Sequence, residues 1–492
     1  MEAIPIAIFW SIVAWTLLQR REHALMYLFF ASMPFGSFAA IPTAVTGGLT
    51  LTPTPIVAML LIARRFASPG GITQSLDAAL RGSLLLALFL FWLAAAVTTA
   101  FMPRFLAGVV EIVPVRSLDQ ADTALLGPTM QNISQGVYVS ISVLAVFTFA
   151  HMLRTEAMQR HAMRALCLGA ALTVATGLLD LASQYLPIGA ALELFRTASY
   201  SLLTDDEVLD SKRLVGLMPE ASSFGTLALG FLGSLYFFRR AMPSGILRER
   251  MVPALMALML PLIWLSTSSA AYLGLGLLAA AVVADWCWRA SASGVPFRLR
   301  QGLAMELLLA ICAAAVLALG LLAAPQVLGS MLEVFDLMVL QKSGSGSYEE
   351  RSMWTQVSLQ SLAATYGLGV GLGSTRASNF AVALASNAGL PAAFFYLLFL
   401  LQNLMLRKVP RHDVEARALL SAIRWSCLPP LFTSLLIATT PDFGLFNAFL
   451  YGFAVAAVTR PAVLRQRQAA MTPRPGPIPA RLLFAREHHV RH

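Results

Sequence analysis

Long apolar stretches recur along the chain from Ile4 to Val458, separated by short connections that carry the charges. A helix needs about 20 mainly apolar residues to cross the hydrocarbon of a bilayer. Read on that scale, the pattern predicts thirteen spans, near 3–19, 24–45, 49–63, 82–102, 136–152, 165–186, 222–238, 251–267, 270–288, 303–324, 377–405, 418–438 and 445–459. The third is short and holds Pro53 and Pro55. The expected fold is all-α, a polytopic transmembrane helical bundle of about 12–13 spans over residues 1–459, followed by a basic, Pro-rich tail at 460–492.

Composition narrows the class further. The 492 residues are 58% hydrophobic and 12% charged, with mean hydropathy +0.71, whereas soluble domains carry about 25% charged residues. A water-soluble chain is excluded, and disorder, a disulfide scaffold and a nucleic-acid binder are excluded with it. Cys167, Cys287, Cys312 and Cys427 all fall within or at the ends of apolar runs.

The net charge of +10 is a matter of placement. One set of connections holds Arg20 and Arg21, then Arg64, Arg65 and Arg81, and continues in alternation to the arginines of the tail. The other set holds only Arg104, Arg116, Arg196, Lys212, Arg213, Lys342, Arg351 and Arg376. By the positive-inside rule the first set is cytoplasmic, which puts the N-terminus outside and the C-terminus inside. The basic balance is therefore a topology signal with some attraction to membrane lipids, and gives no reason to expect a nucleic-acid partner. Residues 1–21 do not read as a cleaved signal, because Glu2 stands where a positive n-region belongs.

Three arginine-poor connections are long, at about 103–135, 187–221 and 325–376, and loops carried on a rigid scaffold are where function usually sits. They contain no histidine. Chemistry there must run on carboxylates, arginine, tyrosine and backbone groups. The second loop ends in Lys212-Arg213 and then Pro219-Glu220-Ala221-Ser222-Ser223-Phe224. Pro219 suits the first position of a helix, and Glu220 then falls in its first turn. That arrangement has two readings: a phosphate site gripped by Arg213 with Glu220 as general base, or a carboxylate that only complements the helix dipole beside an arginine meeting headgroups. In the third loop, Ser347-x-x-Glu350 fits a capping box before a helix opened by Arg351 and carrying Met353, Trp354, Val357 and Leu362 along the membrane surface. Gly367, Gly369, Gly371 and Gly373 follow, suited either to tight packing or to cradling an anion.

Three stretches together resemble the O-antigen polymerase and O-antigen ligase superfamily, in particular its exopolysaccharide polymerase branch. They are Arg213-x-x-Gly216 with Pro219-Glu220-Ala221-Ser222-Ser223-Phe224, the Ser/Thr-rich junction Ser266-Thr267-Ser268-Ser269, and Arg351-x-x-Trp354 with the alternating glycines. They span roughly 213–400. The resemblance implies a glycosyltransferase that moves glycan from an undecaprenyl-pyrophosphate carrier onto an acceptor repeat unit at the outer face of a bacterial inner membrane. It implies Arg213 and Arg351 as pyrophosphate binders and Glu220 as the catalytic carboxylate, with Arg376, Arg196 and Lys212 as secondary cations, and neither a cofactor nor a metal. A chain-length regulator and a flippase are the implied protein partners. Two departures stand out. Ser378-Asn379 replaces the His-Asn pair of the ligases, which argues against the ligase branch, and Ser269 or Ala270 replaces an arginine of the junction.

Two further groups need a reading. Asp205, Asp206, Glu207 and Asp210 form an acidic cluster that reads as solvated loop. Asp180, Glu306 and Arg424 are ionisable groups inside spans, the usual mark of a transport path. A ligase-like transferase and a transporter or flippase are thus the competing expectations.

Overall fold

The computed structural model describes residues 3–471 apart from 20, 43–44, 46–49, 81–83, 117–121, 199–201, 204–206, 209–210, 292–299, 301, 324–328, 330–335, 337–345 and 411–412. Helices account for nearly all regular structure. In order they are α1 Ala3–Leu18, α2 Glu22–Ser32, α3 Pro53–Ala67, α4 Gly71–Leu80, α5 Leu86–Phe105, α6 Met130–Met152, α7 Glu156–Ser183, α8 Gly189–Glu193, α9 Ala221–Phe238, α10 Val252–Leu265, α11 Ser269–Ser291, α12 Leu303–Ala323, α13 Gly346–Ala364, α14 Phe380–Leu400, α15 Val414–Ile437 and α16 Leu445–Met471. Two short antiparallel hairpins, Glu111–Ile112 with Ala124–Leu125 and Glu207–Val208 with Ser211–Lys212, ornament the loops.

The chain is a multi-pass helical membrane protein. Among the described residues eight helices are long and apolar enough to cross a bilayer, namely α5, α6, α7, α9, α11, α12, α14 and α15. The count of thirteen predicted spans is therefore corrected in its detail. α1 and the apolar part of α16, Leu445–Thr459, are shorter. The expected span 24–45 breaks after Ser32, because the chain beyond it pairs with other loops: Ser37 N donates to Leu217 O at 3.0 Å, and Thr197 N to Ser37 O at 3.1 Å. The expected span 251–267 yields a 14-residue α10 after a single π turn. α3 turns by 98° into α4 at Ser68-Pro69-Gly70. Gly70 takes φ +71°, and a Cβ on Gly71 would stand 2.1 Å from the Arg65 carbonyl, so the bend depends on both glycines. At the other end of the chain α16 runs on to Met471, so residues 460–471 are helical where a flexible tail is expected; 472–492 lie outside the described residues.

Aromatic interdigitation holds the bundle together. Phe30 meets Phe449 edge-to-face at 4.8 Å and Phe29 meets Phe149 at 5.2 Å, all four fully buried. Small residues let the helices close on these rings: a Cβ on Gly169 would lie 2.7 Å from Phe231, and one on Gly452 would lie 2.6 Å from Cβ of Phe149. Charges separate to the two ends. One end collects Arg65 with His151, and Arg240 and Arg289 with Asp285 and Glu306. The opposite end gathers all three long loops, through Asn132 Nδ2 on Leu372 O at 2.8 Å, Arg376 N on Val113 O at 3.0 Å and Arg213 on Thr267.

Candidate functional site

At the loop end the cations divide by what holds them. Arg196 is closed: its side chain, 4% exposed, donates to Asp180 Oδ1 at 3.0 Å, to Glu193 Oε1 at 2.8 Å and to Gly216 O at 3.3 Å. Asp180, wholly buried, completes the knot by accepting Val215 N at 2.8 Å and Gly216 N at 2.9 Å on its second oxygen. Arg196 is thus a clamp that ties α7 to the loop before α9, not a free phosphate contact, and Asp180 is its counter-ion. A bound diphosphate would have to displace two carboxylates to reach it.

Arg213 lies just beyond this knot. Its Nε donates to Thr267 Oγ1 and its Nη2 to Thr267 O, each at 3.2 Å. Thr267 adopts φ +43°, a left-handed backbone that a β-branched residue rarely takes. That conformation lets one residue offer both its hydroxyl and its carbonyl to the same guanidinium. Strain of this kind costs on the order of 1–3 kcal/mol and collects at working sites. Thr267 is a site residue that sequence reasoning passes over; its only signal was its place in the Ser/Thr-rich junction.

Glu220 is corrected in position. It is the N-cap of α9, with extended backbone (φ −155°, ψ 162°), so the helix begins at Ala221 and Pro219 is not its first residue. Its carboxylate does not cap the backbone. Instead Oε1 accepts the hydroxyls of Ser222 and of Ser223, the latter at 3.3 Å. The helix start thereby presents a carboxylate oriented by two serines, half-buried and reachable from solvent. Lys212 sits in the second hairpin, also half-buried.

α13 brings Arg351 to a groove of about 890 Å³. Its polar side is Arg351, Ser352, Gln356 and Gln360 of α13 with Ser378 and Asn379; its apolar side is Leu273, Leu435, Leu436 and Ile437. Ser269 and Ala270 close one end, two residues on from the Thr267 that holds Arg213. Glu220 and Arg213 are not part of the groove lining. No hydrogen bond or ion pair engages the Arg351 guanidinium among the described residues. The described helix runs from Gly346, so Ser347 lies within it and not at the expected N-cap position. Of the expected stripe Met353, Trp354, Val357 and Leu362, only Trp354 is buried. Trp354, Ser358, Ser361 and Thr365 are buried at helical spacing, and Ser358 donates to Arg376 O at 2.8 Å.

That hydroxyl face packs on the glycine segment. Gly367, Gly369, Gly371 and Gly373 all have φ between +78° and +96°. Space is lacking as well: a Cβ on Gly369 would stand 2.6 Å from Gly389 N, and one on Gly373 2.4 Å from Gln131 O. The amides are spent inside the protein, Gly369 N on Thr365 Oγ1, Val370 N on Ser386 O, Gly371 N on Asn387 O and Leu372 N on Thr99 Oγ1. The anion-cradle reading of these glycines is therefore set aside; they are a packing joint that seats α13. Arg376 belongs to the joint, donating to Pro114 O at 2.9 Å with its guanidinium 4.6 Å from the Trp354 ring centre. Burial pulls that guanidinium below its usual pKa, with Glu350 opposing. Arg376 is thus a brace and not a second phosphate contact.

Comparison with protein-family models and with curated protein sequences gives no match for this chain.

The acidic cluster does not enter the site: Asp205, Asp206 and Asp210 lie outside the described residues, and Glu207 belongs to the second hairpin. The candidate transport charges are engaged. Asp180 is in the knot described above, Glu306 meets Arg289 at 2.6 Å, and Arg424 donates to the Arg407 carbonyl. Asp442, a carboxylate that sequence reading left unassigned, lines a small cavity of about 230 Å³ with Tyr138 and Ser142 and accepts Gly444 N at 3.1 Å. Burial raises its pKa above the ordinary carboxylate value.

Proposed function

We propose that this chain is a membrane glycosyltransferase of the exopolysaccharide polymerase type, which uses an undecaprenyl-pyrophosphate-linked oligosaccharide as donor. One observation carries the reading: a groove with one apolar side is lined by a guanidinium that no carboxylate among the described residues engages. An apolar wall suits a polyprenyl chain, and a lone arginine in the same groove suits the diphosphate to which that chain is joined.

In the proposed reaction an acceptor sugar hydroxyl attacks the anomeric carbon of the donor. The new glycosidic C–O bond forms as the bond from that carbon to the pyrophosphate oxygen breaks. Arg351, with Arg213 at the adjoining Ser/Thr junction, neutralises charge growing on the leaving undecaprenyl pyrophosphate. Glu220, oriented by Ser222 and Ser223, takes the hydroxyl proton. Arg196, Arg376 and the glycine joint keep the loops in register so that these groups meet. Nothing in this scheme calls for a cofactor or a metal. The reading places the loop end outside a bacterial inner membrane, the N-terminus with it and the C-terminus in the cytoplasm, where a flippase supplies the substrate and a chain-length regulator sets product size.

Lipid analysis of a deletion strain tests the proposal. Accumulation of single lipid-linked repeat units on the outer leaflet is the expected result. Completed polymer lacking its final attachment would point to a ligase instead, and precursor trapped on the inner leaflet to a flippase; either would overturn the polymerase assignment.

A further inference from the structure

At the arginine-rich end, two arginines converge on His151, one from where α3 bends into α4 and one from where α6 turns into α7. Arg65, at the end of α3, donates Nη1 to Ser68 Oγ at 3.0 Å and Nη2 to Gln74 Oε1 at 2.9 Å, and its Nη2 is 3.2 Å from His151 Nδ1. Arg154 lies in the α6–α7 turn, its backbone amide on the His151 carbonyl. The Nε atoms of both arginines are buried and have no hydrogen-bond partner among the described residues. Neither arginine forms an ion pair among the described residues; Glu22 attracts Arg65 from a distance without contact. Burial, and then the charge of Arg65, pull the Arg154 guanidinium below its usual pKa.

The contrast with the neighbouring cluster is instructive. Arg289 is buried there and Arg240 is half-buried like Arg65 and Arg154, but Asp285 and Glu306 supply two carboxylates for the two cations. Buried like charges without counter-ions are costly, and an unsatisfied buried donor adds to the cost. Among the described residues Arg65 and Arg154 have donors to spare and no carboxylate in contact, which leaves them open to an anion from outside the chain.

We propose that Arg65 and Arg154, with His151, Ser68 and Gln74 around them, form a binding site for a phosphate-bearing anion at the arginine-rich end of the bundle. A tetrahedral phosphate accepts from two guanidiniums at once, which neither Ser68 nor Gln74 does. The same chemistry is offered by a free phosphate compound and by the headgroup of an anionic lipid. The site is independent of the polymerase reading, since it lies at the opposite end from Arg351.

The test uses full-length protein in nanodiscs of phosphatidylcholine alone or with a minor share of phosphatidylglycerol. Binding of radiolabelled inorganic phosphate is measured in the first, and phosphatidylglycerol retained per chain by native mass spectrometry in the second. Phosphate bound in pure phosphatidylcholine identifies a free phosphate compound as the ligand; retained phosphatidylglycerol alone identifies a lipid headgroup. In either arm Arg154→Gln and Arg65→Gln should weaken binding by about 10- to 100-fold, Arg154→Lys should keep part of it, and Arg250→Ala, an exposed arginine away from the cluster, should leave it unchanged. Unchanged unfolding midpoints exclude misfolding as the cause. Binding of neither probe, equal binding by the Gln variants, or equal loss in Arg250→Ala would overturn the proposal.

Discussion

Arg196 and Arg351 stand at the same end of the molecule, on two of the three long connections, and do opposite things. Arg196 is surrounded by acceptors from α7, α8 and the loop before α9, two of them carboxylates. Arg351 stands on α13 and lines a groove whose other polar groups are neutral. The difference teaches that rarity of cations on this side is not enough to mark a ligand contact. What separates a clamp from a contact is whether the protein already supplies the anion. Glu220 is intermediate, a carboxylate whose partners are hydroxyls, which orient it without neutralising it.

Breaking the clamp should have the largest effect. Asp180→Ala leaves Arg196 buried without its main counter-ion and removes the acceptor of two loop amides. It should destabilise the protein by roughly 3–5 kcal/mol, read as a lowered thermal midpoint in detergent. An unchanged midpoint would dissolve the distinction between clamp and contact. Next comes Glu220→Gln, which should preserve folding and slow turnover by about 100- to 10,000-fold if the carboxylate takes the proton. A single-turnover rate equal to that of the unmodified protein would leave Glu220 as only an acceptor for Ser222 and Ser223 at the helix start.

The joint that seats α13 gives the third prediction. Gly373→Ala forces a Cβ toward the Gln131 carbonyl at a backbone angle L-residues avoid. A loss of about 1–3 kcal/mol should appear in denaturant unfolding, whereas Gly276→Ala on α11, where a Cβ meets nothing within 4 Å, should be near neutral.

Much of this architecture can be read in the chain, and the failures have a common cause. The all-α bundle follows from apolar run lengths, and the alternation of arginines sorts the connections into the two ends that the fold assembles. The alternating glycines announce positive φ and close approach, but not that the amides of Val370, Gly371 and Leu372 would be consumed by Ser386, Asn387 and Thr99, which come from other elements. Likewise Arg196 looks free until α7 brings Asp180 beside it, and the span expected at 24–45 looks continuous until Ser37 finds Leu217 and Thr197. Local pattern predicts elements; which polar group is already satisfied is decided by residues distant in sequence. At the Arg351 groove only the polar side comes from the arginine's own helix and the nearby Ser378 and Asn379, while the apolar side, Leu273 and Leu435 to Ile437, is brought from elsewhere in the chain.

The smallest effect concerns Asp442. Its pKa is raised in the fold, so the folded chain holds the proton more tightly than the unfolded one. That contribution is full below about pH 4 and is lost as pH rises through the folded value. Asp442→Asn should remove this slope from a plot of thermal midpoint against pH. A slope that persists would mean that another group causes it.

The most direct test of the central claim is polymer formation by purified Arg351→Ala protein supplied with undecaprenyl-pyrophosphate-linked repeat units, with its thermal midpoint measured alongside. The account predicts an unchanged midpoint and polymer yield reduced by about 100- to 1,000-fold, the size of effect seen when one transition-state charge contact is removed. Full polymer yield from that variant would contradict it.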